Sequence, residues 1–203
     1  MKNTNKMKGF LQITFGPMFS GKTSHLIHNI HKFLDVNDAR GTPKKGLIIN
    51  SSLDKRIVKS TCDYLTTHST FSKKIREDIL CLKVMELGLV DEEIIDDMDF
   101  ISVDEAQFFT DIEVVKNWVE KGKYIHLCGL IADTNKKPFG DLIKMFPIAD
   151  DIEQLKAYCI LCDGHEMNAP FTDILVNDSE KGNIYPGGYE TYIPVCGKHY
   201  NEK

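Results

Sequence analysis

The sequence predicts an α/β fold: a mostly parallel sheet flanked by helices, with a small C-terminal module attached. Three observations predict it. Short apolar strands alternate with helical stretches through residues 1–150, a glycine-rich turn joins the first strand to the first helix, and cysteine and histidine residues form two tight pairs near the C-terminus. Parallel strands are buried on both faces and need helices to cover them, so this alternation selects that architecture. The connections are expected to be right-handed crossovers.

The first element is the β-rich run 10–15 (FLQITF), which leads into GPMFSGKT at 16–23, an instance of G-x-x-x-x-G-K-[ST]. Residues 23–34 then carry helical spacing, with Leu26, Ile27, Ile30 and Phe33 on one face. Strand, glycine-rich loop and helix in this order are P-loop NTPase-like. The loop is Gly16, Pro17, Met18, Phe19, Ser20, Gly21, Lys22 and Thr23. Its backbone amides suit phosphate oxygens, Lys22 brings positive charge, and the Thr23 hydroxyl suits Mg²⁺. A nucleoside triphosphate with magnesium is the ligand this pattern implies.

Residues 35–45 are polar and contain Gly41 and Pro43, so a mobile surface connection is expected there. The run 46–50 (GLIIN) reads as a buried strand, and 79–84 as another, followed by a helix over 85–95. The aperiodic stretch 51–72 carries Asp54, Arg56 and His68. Ligands in open α/β sheets gather at the carboxyl ends of strands, which puts these side chains in range of the phosphates. A strand at 100–103 ends in DEAQ, so Asp104 and Glu105 stand at its carboxyl end, 81 residues after Thr23. An acidic pair at a strand end is often only solvated; its partnership with the phosphate loop argues for a part in binding the nucleotide with magnesium. A helix over 110–121 and a strand over 124–128 (YIHLC) complete the first domain, 1–150.

The composition is that of a soluble globular chain: 203 residues, 42% hydrophobic and 27% charged. A net charge of −5 disfavours a nucleic-acid polymer as partner, because phosphate backbones recruit basic surfaces. The N-terminus has lysines ahead of an apolar stretch, as a signal peptide does, but Gln12 and Thr14 interrupt it and it ends in the phosphate loop. With no segment near the roughly 20 apolar residues that cross a bilayer, no membrane is expected as a partner and a cytoplasmic location is expected.

Six cysteines in such a chain do not make a disulfide framework. Cys62, Cys81 and Cys128 are scattered, the last two within strand-like runs where they serve as small core residues. Cys159-x-x-Cys162 and Cys196-x-x-His199 are different. A two-residue spacer lets a tight turn aim both side chains at one tetrahedral ion, and three thiolates with one imidazole close a structural Zn²⁺ shell. The 33 residues between the pairs exceed ribbon spacing, so the zinc-binding, ribbon-like domain at 151–203 is expected to clamp a long excursion at its base. The alternatives are a redox pair at Cys159 and Cys162, without thioredoxin-like context to support it, and cysteines that simply pack unligated in the core. Within the excursion, 176–195 has three Gly, two Pro and three Tyr, the composition of a loop that closes over a ligand or of an ordinary surface hairpin.

GPMFSGKT, the D-x-R at 54–56, DEAQFF at 104–109, KPFG at 137–140, the two Cys/His pairs and the tail GGYETYIPVCGKHY at 187–200 follow one another in the order found in type II thymidine kinases. The chain resembles that family over essentially its whole length. The resemblance implies transfer of the γ-phosphate of ATP to the 5′-hydroxyl of thymidine, with deoxyuridine also accepted, giving dTMP for nucleotide salvage and DNA synthesis. It implies Glu105 as the base, with Lys22 and Arg56 on the phosphates, and an ATP site of residues 16–23 with Asp104, Glu105, Ala106 and Gln107. Thr23, Asp54 and Asp104 fall on the magnesium site, and Met18, Phe108, Leu130, Phe139, Thr172, Gly187, Gly188 and Tyr192 on the nucleoside site beneath a lasso loop. A homotetramer and feedback inhibition by dTTP are further implications.

Those roles agree with elementary chemistry. Phosphoryl transfer needs positioning and charge neutralisation, and a glutamate with a reference pKa of about 4.3 is ionised and able to accept the hydroxyl proton. Two departures from the family stand out: Thr134 occupies the place of a second aromatic ahead of KPFG, with Tyr189 as a ring that could compensate, and His199 replaces a cysteine. Three other readings compete. A DNA-stimulated ATPase with a DEAQ motif is opposed by length, acidity and the lack of an arginine-rich motif. A kinase for another deoxynucleoside is kept open by Thr134. A nucleotide-binding regulator without turnover would leave Glu105 idle.

Overall fold

The computed structural model describes residues 8–53, 64–66, 72–164, 168–175 and 188–202. Strands β1 (Phe10–Phe15), β2 (Gly46–Ser51), β5 (Ile79–Val84), β6 (Phe100–Asp104), β7 (Tyr124–Gly129) and β8 (Asp151–Gln154) form one sheet in the order β5-β2-β6-β7-β1-β8. Every pair in it is parallel. β3 (Tyr64–Thr66) and β4 (Ser72–Lys74) pair separately as an antiparallel ribbon. The register sets Asn50 opposite Asp104 and Phe15 opposite Gly129, so the carboxyl ends of β2, β6, β7 and β1 lie along one edge.

Side-chain alternation assigns the two faces. Leu11, Ile13, Leu47, Ile49, Ile101, Val103, Ile125 and Leu127 point to one side, where they bury against Phe109, Ile112, Val115 and Trp118. Ile48, Phe100 and Cys128 point to the other and meet Leu26, Ile27, Ile30 and Leu34 of helix α1 (Lys22–Ala39). Both faces are apolar because both are covered, as parallel sheets require. Each fully buried Leu or Ile contributes about 1.5–3 kcal/mol through removal from water.

Several boundaries differ from the sequence expectation. The polar stretch 35–45 is not all loop, since α1 runs to Ala39. Its acidic residues are the outer face of that helix: Arg76 bonds Asp35 at 2.5 Å and Asp38 at 2.7 Å, besides Asp78. The helix expected over 85–95 is broken. A 3₁₀ turn at Leu87–Leu89 is followed by α2 (Glu92–Asp97), capped by Asp91, whose side chain accepts from Glu93 N at 3.0 Å. The helix expected over 110–121 likewise resolves into a 3₁₀ turn, Ile112–Val114, and α3 (Val115–Glu120).

The C-terminal segment carries its own small core. β9 (Phe171–Ile174) and β10 (Tyr192–Val195) pair antiparallel, α4 (Gly197–Asn201) follows, and Ala157, Cys159, Ala169, Ile193, Val195 and Cys196 are buried together. Residues 192–195 of the expected closing loop are therefore strand, and 176–187 lie outside the described residues.

Candidate active site and metal centre

The phosphate loop leaves β1 with a sharp change of direction that its glycines permit. A Cβ on Gly16 would stand 2.5 Å from the Leu155 carbonyl oxygen, and Gly21 has φ +84°. Between them Phe19 takes φ 65°, an uncommon conformation for a non-glycine residue. The Pro17 carbonyl accepts from both Lys22 Nζ at 2.7 Å and Ser20 Oγ at 2.8 Å, which folds the loop over the start of α1. Lys22 and Thr23 are both buried, so their polar atoms are held at the loop's mouth.

Asp104 ends β6 level with this loop, and Thr23 Oγ1 donates to Asp104 Oδ2 at 3.0 Å in buried surroundings. Glu105 follows with φ 52° and is buried, and a 3₁₀ turn, Ala106–Phe108, leads away from it. A strained left-handed glutamate at the carboxyl end of a central strand is typical of a working position. Gln107 Nε2 donates to Glu105 Oε2 at 2.6 Å, and its Oε1 accepts from Leu130 N at 2.9 Å. Phe108 meets Phe139 edge to face, with ring centroids 5.9 Å apart.

Two contacts tie the loop to the C-terminal module. Met18 N donates to Thr172 Oγ1 at 2.9 Å, and Phe19 stacks on Tyr189 with ring centroids 3.7 Å apart. Tyr189, the ring that could compensate for Thr134, is engaged with the phosphate loop instead.

Below the loop lies a buried polar set of Thr14, His126 and Cys128. His126 Nε2 is 2.8 Å from Thr14 Oγ1 and 3.3 Å from Cys128 Sγ. Burial, with a contribution from His25, pushes His126 down to about 3, so the imidazole is neutral. Burial also pushes the Cys128 thiol well up, away from nucleophilic use.

Among the described residues, Cys159, Cys162, Cys196 and His199 form a group whose ligand atoms all lie within 4.8 Å of one another. His199 Nδ1 is 3.4 Å from Cys159 Sγ, 3.5 Å from Cys162 Sγ and 3.4 Å from Cys196 Sγ, and the Cys162 and Cys196 sulfurs are 3.8 Å apart. A tetrahedral zinc with bonds of about 2.3 Å to sulfur and about 2.0–2.1 Å to nitrogen has edges of roughly 3.8 Å and roughly 3.5 Å. The donor set fits zinc, with Nδ1 as the histidine ligand, and a full four-residue shell marks a structural site.

The thymidine kinase family profile matches residues 9–200. The chain belongs to the thymidine kinase family. It is 32% identical over 200 residues to a thymidine kinase of Choristoneura fumiferana entomopoxvirus, covering 95% of this chain and 96% of that one. It is 31% identical over 198 residues to the thymidine kinase of African swine fever virus, covering 97% and 91%, and 32% identical over 198 residues to thymidine kinase a of Arabidopsis thaliana, covering 95% and 75%.

The structure brings many of the residues singled out in the sequence into one region. The phosphate loop, Asp104, Glu105, Ala106, Gln107 and Leu130 stand at the carboxyl edge of the sheet, with Phe108 against Phe139 and Thr172 against Met18. Tyr192 is buried in β10, and Gly188 precedes it in a turn, accepting from Tyr192 N at 2.9 Å. Asp54, Arg56, His68 and Gly187 lie outside the described residues. Two relationships escaped sequence reasoning: the grip of Gln107 on Glu105 and the stack of Phe19 on Tyr189. The i to i+2 spacing of Glu105 and Gln107 was a signal for the first; the second joins residues 170 apart with no local pattern.

Proposed function

We propose that the chain transfers the γ-phosphate of ATP to the 5′-hydroxyl of thymidine, and to deoxyuridine, yielding dTMP and ADP for nucleotide salvage. The observation that carries this reading is the Thr23–Asp104 hydrogen bond, which brings the phosphate loop and the carboxylate end of β6 into one site in a chain of this family. Glu105 takes the proton from the 5′-hydroxyl as that oxygen forms its bond to the γ-phosphorus. The bond from the γ-phosphorus to the bridging oxygen breaks and ADP leaves. Lys22 draws charge from the β- and γ-phosphates, and Arg56 is assigned the same task. Magnesium, when held by Thr23, Asp54 and Asp104, neutralises the charge spread over the phosphate oxygens.

The ring pair Phe108–Phe139, with Met18, Leu130 and Thr172 nearby in sequence role, supplies the base pocket, and Gly187, Gly188 and Tyr192 belong to its cover. Glu105 is buried, and a site that excludes water favours nucleoside over hydrolysis as acceptor. In this reading 1–150 is the nucleotide-binding domain and 151–203 the zinc domain that anchors the lasso over 176–195. A homotetramer, inhibition by dTTP at the nucleoside site and a cytoplasmic location, where ATP and nucleosides meet, complete it. Among the described residues no helix is long and apolar enough to cross a membrane.

The test is magnesium- and ATP-dependent phosphorylation of thymidine, deoxyuridine, deoxycytidine and the purine deoxynucleosides, with single-stranded DNA as an ATPase stimulant in parallel. Thymidine and deoxyuridine turnover is expected. Turnover confined to another nucleoside, or ATP hydrolysis that needs DNA, overturns the assignment.

A further inference from the structure

The hairpin between β7 and the KPFG motif is built around one carboxylate. Asp133 Oδ1 accepts from Asn135 N and Lys137 N, both at 2.8 Å; Asp133 N donates to Lys137 O at 2.9 Å, and Phe139 N to Ile131 O at 3.0 Å. At its tip Lys136 takes φ 60°. That conformation carries the side chain onto the zinc module. Lys136 Nζ stands 3.7 Å from the ring centroid of Tyr200 and 4.2 Å from that of Phe171, and 3.4 Å from Asn201 Oδ1. Tyr200 Oη also donates to the Thr134 carbonyl at 2.7 Å.

All of these receiving groups are fixed next to the metal ligands. Tyr200 follows His199 directly and its N–H donates to Cys196 O at 3.0 Å, while Phe171 faces Val195 across β9 and β10, one residue before Cys196. At its other end the hairpin reaches the chemistry. Phe139 packs edge to face on Phe108, and Gly140 abuts the Gln107 carbonyl so closely that a Cβ would stand 2.1 Å from it. Gln107 in turn holds Glu105.

We propose, resting on the thymidine kinase reading of the site, that Lys136 and Tyr200 are positioning residues: a clasp through which the zinc centre sets the 131–140 hairpin and thereby the Phe139–Phe108 wall of the nucleoside pocket. Neither residue touches substrate. A protonated lysine over two rings, with a hydroxyl bonding the same hairpin's backbone, restrains the tip in position and leaves the chemistry to Glu105.

The test uses the zinc-loaded full chain and two readouts, steady-state kinetics and amide hydrogen exchange at Asp133 and Phe139. Lys136→Met is the principal variant, because Lys136 is exposed and its loss leaves the core intact. Lys136→Met is expected to raise the thymidine KM about three- to tenfold with the ATP KM and zinc content unchanged, and to speed exchange at both amides. Lys136→Arg keeps a cation over the rings and is expected to restore both, while Tyr200→Phe keeps the rings but loses the hydroxyl and falls between. Chelation of zinc from the wild-type protein is expected to speed the same two amides. Wild-type KM and wild-type exchange in folded, zinc-loaded Lys136→Met overturn the clasp. If the wild-type chain fails to phosphorylate thymidine, the functional reading fails, and the exchange arm still decides the clasp.

Discussion

The Glu105 carboxylate is held by the side chain of Gln107, whose Nε2 donates to Glu105 Oε2 at 2.6 Å while its Oε1 receives Leu130 N at 2.9 Å. One amide thus ties the Glu105 carboxylate to the backbone just after β7. Glu105→Gln is expected to lower kcat by about 10²–10⁴ with ATP binding retained, since it removes the proton acceptor and little else. Gln107→Leu leaves the carboxylate in place but unaligned, and is expected to lower kcat by roughly tenfold or more. It should also cost about 1–3 kcal/mol of stability through the lost partners. Steady-state kinetics with urea unfolding separates the two effects. A Gln107→Leu enzyme with wild-type kcat would show that Glu105 is aligned without it.

The Thr23–Asp104 bond makes a second prediction. A hydroxyl that touches a carboxylate at 3.0 Å in a buried site can serve one metal together with it. Thr23→Ala is expected to raise the Mg²⁺ concentration for half-maximal rate on the order of 10–100-fold, whereas Thr23→Ser, which keeps the hydroxyl, is expected to raise it far less. Magnesium titration of the phosphorylation rate checks this. Equal titration curves for both variants would detach Thr23 from the metal.

Much of this arrangement was legible in the sequence because it is encoded locally. The strand, loop and helix at 10–34 and the strands β2, β5, β6 and β7 declare themselves by short apolar runs between polar turns, and GPMFSGKT and DEAQ by residue types that few other chemistries need. Where the structure differs from the sequence expectation, the cause is a partner far away. The continuation of α1 to Ala39 rests on Arg76, which neutralises Asp35 and Asp38 from across the chain, so a polar stretch reads as loop until that partner is known. The break between 85 and 95 is fixed by Gly88 N donating to Asp111 Oδ2 at 2.7 Å, another long-range contact. β8 carries no apolar alternation because DIEQ is mostly polar and three of its four residues are exposed at the sheet edge.

His126 gives a pH prediction. Its folded-state pKa, about 3, lies below the ordinary histidine value of 6.5 because burial disfavours the charged ring. Below pH 6.5 the unfolded chain binds a proton that the folded chain refuses, so stability falls with pH from there down to about 3. Between pH 7 and pH 5 the contribution of this one residue is a loss of about 2 kcal/mol. His126→Gln, neutral at every pH, is expected to lose stability at pH 7 through its disturbed bond to Thr14, yet to show a shallower decline towards pH 5. Urea unfolding at both values measures the difference; parallel declines for the two proteins would assign the acid sensitivity elsewhere.

Zinc removal should act locally and then on catalysis. The C-terminal core consists of Ala157, Cys159, Ala169, Ile193, Val195 and Cys196, too few apolar side chains to hold a fold unaided, and two of them belong to the Cys3His group that can hold zinc. Binding of a structural zinc by such a shell is worth about 10–16 kcal/mol at neutral pH and is coupled to folding. Cys196→Ser or chelation is therefore expected to release about one zinc per chain and to unfold the module around β9, β10 and α4. The parallel sheet, whose buried faces do not include these residues, is expected to stay folded. Thymidine turnover is expected to collapse while ATP still binds, because Thr172 and Tyr189 can no longer hold Met18 and Phe19. Metal analysis, hydrogen exchange and nucleotide binding on the same sample check each step. A zinc-free protein with an intact C-terminal core would show that the four ligands support the fold without the ion.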